Sequence, residues 1–141
     1  ILEGSKEIET NVSLPLETNL DLLGGISFDK GCFIGQEVNA RIKWKGVVKR
    51  KYVPISIKSK KLSYLKLNSL DKKKIFLESK EIGEIVCLLY NNEDDLWYGI
   101  AKITLSNLYS FELEKNLEGN FLDAKIKVNF PKYMLPLPKK I

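Results

Sequence analysis

One short segment gathers the residue types that do chemistry. Asp29-Lys-Gly-Cys-Phe-Ile-Gly-Gln-Glu37 sets a thiol beside an ammonium group and two carboxylates, between Gly31 and Gly35. A thiolate can ligate an iron–sulfur cluster, attack an electrophile or form a mixed disulfide. Positive potential favours thiolate over thiol. A helix N-terminus supplies such potential and a neighbouring lysine adds to it, which lowers a cysteine below its free pKa of about 8.5. Lys30 stands just before Cys32, and helical periodicity begins just after it. Gln36 and Glu37 in the first turn could bond a ligand or cap free backbone N–H groups. By pattern alone, a lone cysteine before a helix is more often structural than reactive. The second thiol, Cys87, lies in the run Ile85-Val-Cys-Leu-Leu-Tyr90 and reads as a small buried hydrophobe. The chain has no histidine and no C-x-x-C spacing. Ser-His-Asp and Cys-His nucleophile pairs and a closed zinc site are therefore excluded for this sequence. No basic-then-apolar leader opens it, so free thiols are expected rather than a disulfide.

Charge is focused around the same segment. Lys30, Arg41, Lys43, Lys45, Lys49, Arg50 and Lys51 face a single acid, Glu37, within Lys30–Tyr52, while the whole chain carries only +5. Such a focus attracts nucleic acid, phosphates or a polycarboxylate tail. Lys43, Lys45, Lys49 and Arg50 are the candidate anion-binding residues, against the plain alternative of a solvated lysine-rich surface. Lys58, Lys60, Lys61 and Lys72–Lys74 are read as that solvated surface. An RNA-binding module would want aromatic platforms, and Phe33, Trp44 and Tyr52 are the only aromatic residues in the stretch.

The elements that must position these residues follow from periodicity. Ile34, Val38 and Ile42 recur every four residues and predict one apolar stripe on a helix that starts near Gly35 and stops at Gly46. Glu37 and Arg41 are spaced as an i,i+4 pair with the acid first. Asn19 could cap a short helical turn ended by Gly24 and Gly25, and Gly31 and Gly35 bracket a tight turn. From Val47 on, apolar and polar residues alternate. Strands are expected at Lys51–Ile57, Lys74–Leu77, Ile82–Tyr90 (buried on both faces at its centre), Leu96–Leu105, Phe111–Leu113 and Ala124–Val128. Asn91–Asp95 is a turn that joins Ile82–Leu105 into a long antiparallel hairpin. The fold class is mainly β with a short helical segment (α+β): a loop–helix segment over 1–46, then short strands over 47–141 whose spacing suggests a small barrel or sandwich. Six residues, Ile85–Tyr90, form the longest apolar run, and a membrane helix needs about 20, so no membrane partner is expected. The sequence opens on Ile1 and its only methionine is Met134, which reads as a chain cut from something longer.

Lys30-Gly-Cys-Phe-Ile-Gly-Gln-Glu37 resembles the K-G-C-[FY]-x-G-Q-E signature of the YgfZ/GcvT-like family of folate-binding proteins implicated in iron–sulfur cluster assembly and repair. Leu14-Pro-Leu-Glu-Thr-Asn-Leu-Asp21 resembles the family's lead-in, and Ala40-Arg41, Gly46 and Lys49-Arg50 its continuation into the barrel. Farther on, Gly83-Glu-Ile-Val resembles a family strand. The resemblance implies a C-terminal portion of such a protein, with a barrel of the aminomethyltransferase type. It implies a functional cysteine at Cys32, with Lys30, Gly31, Gly35, Gln36, Glu37 and Arg41 as signature residues. It further implies tetrahydrofolate on a longer protein, a transient iron–sulfur cluster, and assembly or client proteins as partners, among them a tRNA-modifying enzyme. One cysteine cannot hold a cluster that takes about four ligands, so a cluster at Cys32 would be shared. A non-catalytic assembly factor is the leading expectation. A folate-dependent aminomethyl- or methyltransferase and a basic RNA-binding module are the alternatives. The expected compartment is the bacterial cytoplasm, with the mitochondrial matrix left open.

Overall fold

The computed structural model describes residues 8, 12–32, 34–44, 48–58, 74–113, 118–121 and 124–137. The elements run α1 (Gln36–Trp44), β1 (Arg50–Lys58), β2 (Lys74–Leu77), β3 (Lys80–Asn91), β4 (Leu96–Thr104), α2 (Leu105–Leu113), β5 (Glu118–Phe121) and β6 (Ala124–Val128), followed by a 3-10 turn at Lys132–Met134. The strands close into an antiparallel barrel in the order β1-β4-β3-β2-β5-β6, with β6 returning to β1. The fold is therefore the expected α+β class with a β-barrel.

Alternation fills the barrel. On β1, Val53, Ile55 and Ile57 are buried, and Trp97, Ala101 and Ile103 of β4 join them in the core. On β3 the buried residues are Ile82, Ile85 and Leu88, three apart rather than two. Two register shifts explain that spacing. Ile75 pairs with Gly83 but Phe76 with Glu81, and Ile85 pairs with Ala101 but Cys87 with Ile100. Each inserts one extra residue into β3, and bulges of this kind bend a strand and help a sheet close. At the centre of this run Ile85 and Leu88 are buried and Val86 and Cys87 half-buried, so the expected burial on both faces is met in part, and Leu89 and Tyr90 at its end are exposed. Glycine permits both bulges. A Cβ on Gly83 would collide with the Lys102 carbonyl oxygen, and one on Gly99 with the Cys87 carbonyl oxygen.

Phe111–Leu113 is not a strand. It is the end of α2, which starts as β4 stops. Leu105, Leu108 and Phe111 recur at helical spacing, all are buried, and they join the barrel core. Thr104 precedes this helix, and its Oγ1 accepts a 2.5 Å bond from Asn107 Nδ2. β5 was absent from the expectation because Glu118-Gly-Asn-Phe is polar and short, a weak signal without its partner β6.

The helix after Gly35 forms where periodicity puts it, and Gly35 turns with φ of 87°. Gly24 also takes a positive φ, 74°, as a terminating glycine should. Of the two glycines expected to bracket a turn, Gly35 takes a positive φ and Gly31 does not. Gly46, the expected stop, lies outside the described residues. The apolar stripe of α1 does not become core. No residue of α1 is buried, Ile34 and Val38 are exposed, and only Ile42 is half-covered.

Candidate functional site

Cys32 is reached through a segment that the barrel holds firmly. Residues 15–24 form consecutive turns, in which Glu17 N and Thr18 N donate to the Leu14 carbonyl and Leu22 N and Leu23 N to the Asn19 carbonyl. This segment lies on the start of β1. Tyr52 N donates to the Glu17 carbonyl at 2.9 Å, and Asn19 Nδ2 donates to the Tyr52 carbonyl at 2.7 Å. Asn19 is buried with φ of 62°. It is thus no helix cap. Asparagine tolerates the left-handed region, and its carboxamide is spent on pinning the turn to the barrel.

Charges complete the clamp. Glu17 is buried between Lys102 Nζ at 3.1 Å and Arg50 Nε at 3.4 Å. Lys51 is 1% exposed and shares the alternation of Val53, Ile55 and Ile57, yet it is a lysine. Its Nζ donates to the Leu16 carbonyl at 2.6 Å and lies 3.6 Å from Asp21. Asp21 in turn meets Lys43 Nζ at 3.7 Å, and Lys43 lies 5.0 Å over the Phe28 ring. A buried ammonium is tolerated only when paired and hydrogen-bonded, and these contacts supply both. Two acids from the lead-in therefore join α1, β1 and β4.

This geometry redistributes the basic stretch. Lys51 is inside, while Lys43 and Arg50 already face carboxylates. Lys49 is exposed and Lys45 lies outside the described residues. Glu17, Asn19, Asp21, Lys51 and Lys102 were not singled out from sequence as a group. Their only signal was the lead-in motif, which says nothing of partners far along the chain.

The signature residues lie on the solvent side of the clamp. Lys30, Gly31, Cys32, Gly35, Glu37 and Arg41 are exposed, Gln36 is half-buried, and Phe33 lies outside the described residues. Cys32 is a free thiol. It precedes the Ile34–Gly35 turn, four residues ahead of the first residue of α1. No ion pair joins Glu37 and Arg41 among the described residues. Both are solvated, and an exposed i,i+4 pair holds by only about 0.3–0.5 kcal/mol. Trp44 closes α1 with an edge contact to Phe28, ring centroids 6.5 Å apart. Cys87, expected to be buried, is half-buried, in no disulfide, and next to the β3 bulge.

Among the described residues, no group of three or more His, Cys, Asp or Glu could hold a metal ion. No described helix is long and apolar enough to cross a membrane. The resolved shifts in ionisation lie on the barrel. Lys74 is raised by its hydrogen bond to Glu81, Lys125 by its bond to Glu118 and Tyr98 by its bond to Asp94.

No protein-family model matches the chain. Part of it matches curated proteins. A 54-residue stretch is 48% identical to a mitochondrial iron–sulfur cluster assembly factor IBA57 homolog of Neurospora crassa, covering 38% of this chain and 12% of that protein. A 55-residue stretch is 44% identical to the Yarrowia lipolytica homolog, covering 39% and 12%. A 53-residue stretch is 45% identical to human mitochondrial IBA57, covering 38% and 15%. Part of this chain is similar to iron–sulfur cluster assembly factors. The match spans less than one sixth of each of these relatives.

Proposed function

We propose that this chain belongs to an iron–sulfur cluster assembly factor in which Cys32 lends one thiolate to a cluster shared with a partner protein. The observation that carries the reading is an exposed free thiol within Lys30–Glu37, in a chain partly similar to named assembly factors. The cluster is cargo. Binding replaces the S–H bond of Cys32 with an S–Fe bond and releases the proton to solvent, as thiol ligation does in general. The remaining ligands come from the partner, because one thiolate cannot satisfy a cluster. An exposed loop suits such sharing, and the clamp at Glu17, Asn19 and Asp21 gives it a fixed base.

Two finer parts rest on the resemblance to YgfZ/GcvT-like proteins. One is tetrahydrofolate on a longer protein, and the other is a tRNA-modifying enzyme among the clients. The two grooves described on the barrel wall are not lined by residues 12–44, so neither is assigned to folate. Assembly is preferred to aminomethyl transfer because the named relatives are assembly factors. Those relatives are mitochondrial, so the reading carries a mitochondrial compartment rather than the bacterial cytoplasm expected from the sequence.

The test uses the longest protein that carries this chain, mixed with a [2Fe–2S]-loaded assembly partner. Native protein should alter the visible and EPR spectra of the cluster. Cys32→Ser should leave them as they are with the partner alone and should fail to support cluster-enzyme activity in cells. Unchanged spectra with native protein, or full support by the serine variant, would remove the thiolate role.

A further inference from the structure

The outer wall of the barrel carries a groove whose lining includes none of the residues around Cys32. The register sets its side chains in rows across four strands. Tyr98 of β4 lies opposite Ser56 of β1, Ser56 opposite Lys127 of β6, and Lys127 opposite Glu118 of β5. In the next row Lys58 lies opposite Lys125. Directly opposed like charges destabilise a sheet, so Lys58 and Lys125 carry a cost that an anion would relieve. Glu118 answers one of them, at 2.8 Å from Lys125 Nζ. Among the described residues Lys58 and Lys127 form no ion pair. Lys58 is exposed, as its sequence context suggests.

These residues line a groove of about 720 Å³, within the size range of small-molecule sites. A smaller cleft of about 160 Å³ shares Tyr98 and Asn129 with it. Pro54, Gly99, Ile100 and Tyr133 also line the cleft. Its volume suits one aromatic ring, since a cavity of about 150 Å³ takes benzene. Asn129 stands where the two meet, its Nδ2 donating to Ser56 Oγ at 3.1 Å and its backbone N to the Pro54 carbonyl at 2.8 Å. An apolar aromatic slot opening onto lysines fits a planar ring attached to an anion. Lysine is a common phosphate partner, acting as a point charge.

We propose that this groove binds a pyrimidine nucleoside phosphate, its single-ring base in the cleft beside Tyr98 and Tyr133 and its phosphate over Lys58 and Lys127. The same chemistry is offered by a free mononucleotide and by one unstacked nucleotide of an RNA strand. Titrating this chain with UMP, uridine, inorganic phosphate and an oligo(U) hexaribonucleotide, followed by NMR and calorimetry, tests the site. UMP should bind more tightly than uridine or phosphate. A hexanucleotide no tighter than UMP identifies the free nucleotide as the source, and a tighter, salt-sensitive one identifies RNA. Lys58→Gln with Lys127→Gln should weaken binding about tenfold or more, as loss of charge-assisted contacts does. Tyr133→Ala should weaken UMP but not inorganic phosphate. Circular dichroism checks that these surface variants stay folded. No UMP or hexanucleotide binding at millimolar concentration, or affinity indifferent to the lysine pair, overturns the proposal.

Discussion

Glu17→Gln tests how the Cys32 segment is held. The carboxylate lies 3.1 Å from Lys102 Nζ, with side chains only 6% and 7% exposed. It also lies 3.4 Å from Arg50, whose side chain is 49% exposed and adds little. The amide keeps the shape of the side chain and removes its charge, which leaves the Lys102 ammonium buried without a counter-ion. Stranding one member of a buried pair costs about 3 kcal/mol or more. Against a domain stability of about 5–15 kcal/mol, that is a large fraction. With a urea slope near 2 kcal/mol per molar, the unfolding midpoint should fall by about 1.5 M. Lys102→Met alone should cost a similar amount by stranding Glu17. The double variant should recover most of the loss, because removing both charges removes both desolvation penalties. A urea titration followed by circular dichroism reads all four proteins. A midpoint shift below about 0.5 M for Glu17→Gln, or a double variant as weak as the sum of the singles, refutes the clamp as an electrostatic device.

Other consequences are direct. Gly99→Ala should destabilise the chain by about 1–3 kcal/mol, because its Cβ meets the Cys87 carbonyl oxygen at the bulge; thermal melting checks it, with Asn92→Ala in the exposed β3–β4 turn as control. Asn19→Ala removes the bond to the Tyr52 carbonyl and places alanine at positive φ, and hydrogen exchange in 15–24 should rise more than in β3 and β4. Tyr98 titrates above the ordinary 10.0 because its hydroxyl donates to Asp94, with desolvation next in size. The raised value means that the stability from this bond is fully present below pH 10.0 and is lost as pH rises through the folded-state pKa. Asp94→Asn should bring the Tyr98 titration, followed by NMR of the ring, back toward the ordinary value; an unmoved titration counts against the bond.

How much was legible depends on the range of each interaction. β1, β2, β6 and the β3–β4 hairpin were readable because alternation is a property of neighbours in sequence. The start of α1 was readable from Gly35, whose positive φ is a local demand. α2 was misread because Phe111-Glu-Leu113 alternates within three residues, while the helix shows itself only from Leu105 on, where strand and helix abut without a break. The bulges of β3 could not be seen, since they depend on how far β3 must bend to meet both β2 and β4. Within the candidate site, Cys32 and its glycines stood out by type and spacing, and the exposure of the thiol did not.

The sequence by itself determined that this is a β-rich chain with a glycine-marked thiol segment ahead of it, because residue type and short-range periodicity settle local conformation. The tertiary structure alone decided which cations are free. Glu17 and Asp21 reach Arg50, Lys51, Lys43 and Lys102 across long separations in the chain, whereas Lys58 and Lys127 are brought beside Lys125 by strand order and left without acids among the described residues. A charge acts through space over ångströms, and only barrel closure turns positions scattered along the sequence into distances of that size.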